Sequence, residues 1–498
     1  MRSRRCVMPA RGRAPHNRRT ADPRAAAVTD APPLVQGLPT PADALRWSQW
    51  GWEAALGGWM PAAAQAQRSR ARLDALVAFA RARVPLHRDR LRDLPARGWQ
   101  LRDLPPLHKP ALMARFEDSL ADRALTRARV ERFVADPQRI GELLDGRYAV
   151  WRSSGTTGAP ALYLHDRDAL ALYQALELFR TRGLAAPVQL ASRVLAGERY
   201  ALVAATGSHF AGVSTIAWLQ RSAPWLAGAV RSLSLLQPLD ALVAELNAYR
   251  PTLLATYPTA AELLADEQAA GRLRLSLAEL WLGGETLTRP TRERLARQFG
   301  CVVRNSYGAS EFLSIAWDCG AGRLHVNADW VLLEPVDAQF RPVAPGTASH
   351  TTLLTNLVNR VQPLIRYDLG DAITVHPDRC RCGCPLPTIE VDGRHDDILH
   401  FAPPGARPLR LLPLVLTTVL EEAGGLRDYQ LVQRGATLTL RLGRADRAAA
   451  ARGEAALRDY LHTQGAGPLR LRVVDEPPRR STASGKLRRV LREAAGLG

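Results

Sequence analysis

Between residues 147 and 375, short apolar runs take turns with stretches of helical periodicity, and this alternation restricts the fold more than any other feature of the chain. The runs fall at 200–204, 252–256, 279–283 and 301–305, each followed by a glycine-containing turn or a helical pattern. Runs this short, rich in branched and aromatic residues, suit buried strands better than helices. Strands separated by helices predict an α/β core with a largely parallel sheet. Upstream, apolar residues at three- and four-residue spacing predict helix over about 40–95. Val84-Pro85 should end it, because proline disfavours helical backbone in the residue before it.

Past residue 396 the pattern shortens. A helix at 412–423, strands from Tyr429 and Thr437, a helix at 445–463 and a strand from Leu469 read as a small α+β unit. Residues 1–38 are rich in Arg, Pro and Ala without periodicity and read as a disordered basic tail. The expected organisation is therefore a tail (1–38), a large domain (39–395) and a small C-terminal domain (396–498).

Charge and cysteine content narrow the chemistry. The formal net charge is +19, but its arginines are spread along the whole chain, and the only lysines are Lys109 and Lys486. Such a chain attracts small anions, and no basic block argues for a nucleic-acid partner. No apolar stretch approaches the roughly 18 residues of a membrane helix, so no membrane span is expected. Six cysteines in 498 residues make no disulfide framework. Five lie in the second half, three of them at alternate positions (Cys380, Cys382, Cys384), which points to metal ligation in a reducing, cytoplasmic setting.

The segment Ser153-Ser154-Gly155-Thr156-Thr157-Gly158-Ala159-Pro160 follows an apolar strand. Its glycines free the backbone for N–H groups to converge on an anion, and four hydroxyls add donors there. The spacing and missing Lys-Ser/Thr end exclude the nucleoside-triphosphatase P-loop.

This segment resembles the phosphate loop of the adenylate-forming superfamily, which includes acyl-CoA synthetases, peptide-synthetase adenylation domains and luciferase. Further segments are similar in the same order, most of all to the phenylacetate–CoA ligase branch. They are Ala80–Arg88, Asp103–Lys109, Gly283-Gly284-Glu285, Ser306–Glu311, Arg366–Asp371, Gly393–Asp397 and Ser484-Gly485-Lys486. The resemblance implies a large multi-subdomain α/β domain and a small mobile α+β C-terminal lid domain. It also implies residue roles. Ser153, Ser154, Gly155, Thr156, Thr157 and Gly158 would hold ATP phosphates. Gly284, Glu285, Tyr307, Gly308 and Ser310 would surround the adenosine. Asp371 would take the ribose hydroxyls, Arg394 the ribose or phosphates, and Asp396 would mark the hinge. Glu311, a hard oxygen ligand, would hold Mg²⁺. Lys486, Glu311 and Thr156 are the expected catalytic set. A chain that uses arginine almost everywhere keeps a lysine at 486, where a compact point charge would meet charge growing on the α-phosphate. Lys109 lies in a similar segment without an assigned role. Ala159 departs from the family, which often has lysine there.

Thiolates and imidazole suit zinc, and four such ligands close a structural site. Cys319, His325, Cys380 and Cys382 are the expected set, with Cys384 as a substitute, in keeping with a Cys…His…Cys-x-Cys site in some relatives. The activity implied is ATP-dependent activation of a small carboxylic acid, aromatic or arylacetic, to acyl-AMP. Transfer to CoA or to a carrier-protein phosphopantetheine follows. A non-catalytic nucleotide-binding relative is the alternative, and a homodimer is left open. Trp218, Trp225, Tyr257 and Phe312 are candidates for the acyl pocket.

Overall fold

The computed structural model describes residues 41–153, 161–182, 192–392, 398–401, 409–426, 428–443, 447–466, 469–479 and 488–493. Two helices open the described chain, α1 (Pro41–Gly57) and α2 (Ala62–Arg83). Helix α2 stops where proline geometry requires, with Val84 extended at φ −118° and ψ 108°. An antiparallel hairpin follows, β1 (Ala149–Arg152) and β2 (Leu162–His165), paired up to Arg152 opposite Leu162. The hydroxyl- and glycine-rich loop connects these two strands. Helix α3 (Arg167–Arg182) comes next.

The central sheet begins with β3 (Tyr200–Ala204), α4 (Ala211–Ser222), β4 (Val230–Ser234), α5 (Leu239–Tyr249), β5 (Leu253–Thr256), α6 (Pro258–Ala269), β6 (Glu279–Leu282), α7 (Arg289–Phe299) and β7 (Val302–Ala309). These five strands are parallel, in the order β4-β3-β5-β6-β7. The chain then turns back through β8 (Phe312–Asp318) and β9 (Leu324–Val326). Strands β10 (Val331–Val336), β11 (Thr351–Asn356) and β12 (Tyr367–Asp368) form a separate antiparallel sheet. Strands β13 (Ala372–Val375) and β14 (Thr388–Asp392) return to the central sheet and complete its nine strands, β13-β14-β9-β8-β7-β6-β5-β3-β4.

The sheet is thus less parallel than the sequence pattern suggests. Everything beyond β7 is antiparallel: the connections β7–β8 and β8–β9 are too short for a crossover helix, and β14 returns beside β13 and β9 after the cysteine-bearing segment 376–387. Strand β7 belongs to both halves. Its first residues pair parallel with β6, its last antiparallel with β8, and a register shift between Tyr307 and Ala309 marks the change.

The remaining strands are β15 (Leu399–Phe401), β16 (Leu409–Leu411), β17 (Tyr429–Arg434), β18 (Thr437–Leu442), β19 (Arg470–Val474) and β20 (Val490–Glu493). Two helices accompany them, α8 (Pro413–Thr418) and α9 (Arg447–Thr463). The expected helix 412–423 divides, with α8 giving way to a π-turn at Val419–Ala423. A mixed sheet β19-β18-β17-β20 packs against α9 around Leu420, Tyr429, Leu431, Leu440 and Leu457. Among the described residues no helix is long and apolar enough to cross a membrane.

Candidate active site and cysteine knuckle

A cleft of about 2080 Å³ opens over the C-terminal ends of the parallel strands. The strand order reverses about β3, since β4 follows on one side and β5 on the other. Open α/β sheets leave a crevice at such a switch point. Every described residue of the expected nucleotide set lines this cleft: Ser153, Gly284, Glu285, Tyr307, Gly308, Ser310, Glu311 and Asp371. Ser154, Gly155, Thr156, Thr157, Gly158, Ala159, Arg394, Asp396 and Lys486 lie outside the described residues.

The roots of the phosphate-type loop are pinned. Ser153 N–H donates to Ala161 O at 3.0 Å, and Ala161 N–H donates to Ser153 Oγ at 3.0 Å. The same Oγ accepts from Lys109 Nζ at 3.3 Å. Lys109 heads a short helix, Lys109–Ala114, that delivers its ammonium to the cleft. Sequence reasoning assigned it no role. The available signal was its rarity, as one of two lysines in the chain.

The β7–β8 turn brings Ser310 and Glu311 to the cleft. Ser310 Oγ reaches Arg152 O at 3.4 Å, and its carbonyl meets His165 Nε2 at 2.9 Å, so the turn is tied to both strands that flank the loop. Gly308 has no alternative, because a Cβ there would lie 1.9 Å from Leu313 O. Burial pushes the Glu311 carboxyl above the usual carboxylate range, opposed first by Tyr163's hydroxyl, and Lys109 is among its nearby charges. Tyr163 and Tyr367 are each 1% exposed, with hydroxyls 2.7 Å apart. Tyr163 was not singled out in the sequence, and Tyr367 only as part of Arg366–Asp371, since an aromatic in a buried strand carries no polar signature.

Asp371 follows a backbone held under constraint. Arg366 adopts φ 51°, rare for a non-glycine residue, and its guanidinium is locked by Glu334 at 3.0 Å and Arg102 O at 3.1 Å. Asp371 Oδ2 accepts from the Tyr307 hydroxyl at 2.8 Å. Its backbone carbonyl is fixed by Thr352 Oγ1 at 2.9 Å.

Several expectations change. The Glu285 carboxylate, which lines the cleft, also caps α6 by accepting from Thr259 N–H at 3.0 Å and from Thr259 Oγ1 at 2.9 Å. Gly284 is constrained by Tyr257, because at φ 78° a Cβ would sit 3.1 Å from that ring. Tyr257 lines the cleft, but Phe312 is 0% exposed in the core beneath it. Trp218 lines a separate small recess with His209. The side chain of Trp225 lies outside the described residues.

One contact reaches the cleft from the C-terminal unit. Glu422, on the π-turn, pairs with Arg152 at 2.8 Å and accepts from Ser208 Oγ at 3.2 Å. From the same unit, Leu414, Thr417 and Thr418 of α8 line the cleft.

At the other end of the antiparallel strands, Cys319, His325, Cys380 and Cys382 bring their donor atoms within 4.8 Å of one another. Cys319 Sγ is 3.6 Å from Cys380 Sγ, and Cys382 Sγ is 3.3 Å from His325 Nε2. Two sulfurs bound to one tetrahedral zinc at about 2.3 Å would be about 3.8 Å apart, so the spacing fits. His325 Nδ1 faces Leu386 O at 2.9 Å, which fixes the proton on that nitrogen and leaves Nε2 as a lone-pair donor. Cys384 is not a substitute ligand. Its thiol is buried and turned to Gly58 O at 3.6 Å.

Residues 108–343 match the AMP-binding enzyme family. The chain is similar to Protein CapK of Staphylococcus aureus, 25% identical over 133 residues, a match that spans 26% of this chain and only 28% of CapK. It resembles a 2-hydroxyisobutyryl-CoA ligase solved with 2-HIB-AMP and CoA in the thioesterification state. The TM-score is 0.55 at 20% identity, over 88% of this chain and 91% of that one. The same ligase in its postadenylation state with 2-HIB-AMP gives 0.52 at 21% identity, with the same coverage. At these identities the likeness establishes the fold.

Proposed function

Starting from an AMP-binding domain of the adenylate-forming superfamily, we propose that this chain activates a carboxylic acid with ATP and passes the acyl group to a thiol. The carrying observation is the convergence of Ser153, Glu311 and Asp371, distant in sequence, on one cleft beside Lys109.

In the proposed reaction the acid's carboxylate oxygen attacks the α-phosphorus of ATP. An O–P bond forms, the bond to pyrophosphate breaks, and acyl-AMP remains. The loop at 153–158 grips the phosphates, and Lys109, held at the loop's root, adds positive charge beside them. Asp371 accepts from the ribose hydroxyls, which requires the Oδ2 now bonded to Tyr307 to be shared or released. Glu311 fits a hard cation, being an ionisable oxygen ligand facing the cleft. A magnesium ion held there would offset charge on the phosphates. Lys486 would stabilise the charge that grows on the α-phosphate. A thiol then attacks the acyl carbon, AMP leaves, and the small domain turns about Asp396 between the two steps. The cysteine knuckle fits zinc by its donor set and spacing.

An aromatic or arylacetic acid is the proposed substrate class, supported by the motif resemblance to phenylacetate–CoA ligases. Tyr257 and the apolar lining from Leu202, Phe210 and Trp281 are consistent with it. CoA is the proposed acceptor, with a carrier-protein phosphopantetheine as the second reading. The test is incubation of the purified chain with MgATP and a panel of aromatic, arylacetic and short aliphatic acids, followed by mass spectrometry. Acyl-AMP for one class, converted to thioester when CoA is added, is expected. Nucleotide binding without acyl-AMP from any acid would leave a non-catalytic relative.

A further inference from the structure

We propose that Arg152 is a phosphate-binding residue for the nucleotide, and that Glu422 of the C-terminal unit holds the same guanidinium until the nucleotide displaces it. This rests on the reading of 153–158 as the phosphate loop. Arg152 ends β1, directly before Ser153, and lines the cleft. Its backbone is fixed on both sides, since its N–H donates to His209 O at 2.9 Å and its carbonyl accepts from Ser310 Oγ at 3.4 Å. The hairpin therefore sets its position, and only the side chain can change partner. That side chain pairs with Glu422 at 2.8 Å, where the two are 25% and 15% exposed, so the pair is partly shielded from water. Ser208 Oγ donates to the same carboxylate at 3.2 Å.

The π-turn at Val419–Ala423 sends its two carboxylates in different directions. Glu421 stays within the C-terminal unit, accepting from the Tyr429 hydroxyl at 3.1 Å and pairing with Arg489. Glu422 crosses to the large domain. Turns of this kind are rare and recur at functional sites. The crossing contact is only half satisfied. Its ion pair and its hydrogen bond both fall on Glu422 Oε2, while Oε1 is buried with no hydrogen-bond partner among the described residues. A buried charged oxygen without a partner costs free energy, so this carboxylate competes weakly for a guanidinium. A phosphate offers several charged oxygens to the same planar donor and can take two parallel N–H···O bonds. Binding of ATP at the loop thus exchanges a carboxylate for phosphate oxygens on Arg152, and no covalent bond changes. Glu422 then loses its tie to the root of the loop. Linkage requires the converse: the hold of Glu422 on Arg152 weakens ATP binding by the same factor.

The experiment is calorimetric titration of ATP and, separately, of adenosine into the full chain as wild type, Glu422→Gln, Arg152→Gln and the double variant. Glu422→Gln keeps the shape of the side chain, removes the competing charge and should tighten ATP binding about fivefold, the scale of a modest coupling between sites. Arg152→Gln should weaken ATP binding about tenfold, the scale of one hydrogen bond to a charged group. In the double variant the gain from Glu422→Gln should vanish, because the guanidinium it acts through is gone. Adenosine has no phosphate and should bind all four chains within about twofold of one another. If Arg152→Gln does not fold, Glu422→Gln carries the test, with ATP read against adenosine. Weaker or unchanged ATP binding in Glu422→Gln overturns the proposal, as does an equal change for ATP and adenosine. The reading beneath it fails differently: wild type that binds ATP no more tightly than adenosine would deny that the loop grips phosphates. The predicted pattern of affinities without acyl-AMP from any acid would defeat the proposed reaction and leave the roles of Arg152 and Glu422 intact.

Discussion

Strand β8 carries a different kind of ligand group at each end. Glu311 precedes its first residue and faces an open cleft, whereas Cys319 follows its last residue and faces a closed knuckle. Strand β13 repeats the arrangement, with Asp371 just before it and Cys380 a few residues after it. The knuckle therefore joins the β8–β9 turn to the β13–β14 turn, at the far ends of the strands that present the two acidic groups to the cleft. The contrast lies in what the donors already touch. In the knuckle four soft donors converge on one point, which leaves no place for a substrate. In the cleft, oxygen donors stand around a large space, and Tyr307 holds Asp371 by a single hydrogen bond. A closed ligand set suits a staple, and an open one suits chemistry.

Substitutions at the open end should act on chemistry. Glu311→Gln should lower acyl-AMP formation by about 10² to 10³, the scale of losing one group that offsets transition-state charge. Its bound-metal content by mass spectrometry should stay at the wild-type level. Loss of knuckle metal in that variant would mean the two ends are not independent. Next in size, Asp371→Ala should weaken ATP binding about 10- to 100-fold, as expected for hydrogen bonds to a charged group. Titration of a fluorescent ATP analogue reads this, and unchanged affinity would remove its ribose role.

The closed end should respond in stability first. Cys380→Ser should abolish metal binding and lower the melting temperature by several degrees, on the expectation of a few kcal/mol lost with a structural ligand. ATP affinity should fall only a few-fold, through looser spacing of Glu311 and Asp371. A fall as large as that of Asp371→Ala would make the knuckle part of the active site. The smallest effect is expected for Cys384→Ala. Its thiol faces Gly58 rather than the knuckle, so metal stoichiometry should be unchanged.

The same contrast explains what could be read from the sequence. The knuckle residues were legible because the chain has few cysteines and they cluster in its second half, although only structure separates Cys382 from Cys384. Ser306–Glu311 and Arg366–Asp371 were legible as ordered segments, and periodicity marked β3, β5, β6 and β7 closely. The antiparallel half of the sheet was not, because β8 and β9 are as apolar as parallel strands and differ only in the length of their connections. Tyr163 went unremarked, and Tyr367 was read only as part of Arg366–Asp371, because a phenol in a buried strand looks like core until its hydroxyl partner is known. Nothing local in the sequence shows that the Glu285 carboxylate also caps the helix beginning at Pro258. Lys109 and Glu422 gained meaning only from neighbours brought together by the fold, Ser153 for one and Arg152 for the other.

The central claim is that the open cleft reversibly joins an acid to AMP, and exchange of labelled pyrophosphate into ATP tests it most directly. The prediction is exchange that requires both Mg²⁺ and a carboxylic acid, lost in Glu311→Gln and retained in Cys384→Ala. Tight ATP binding with no acid-dependent exchange across the whole panel would contradict it.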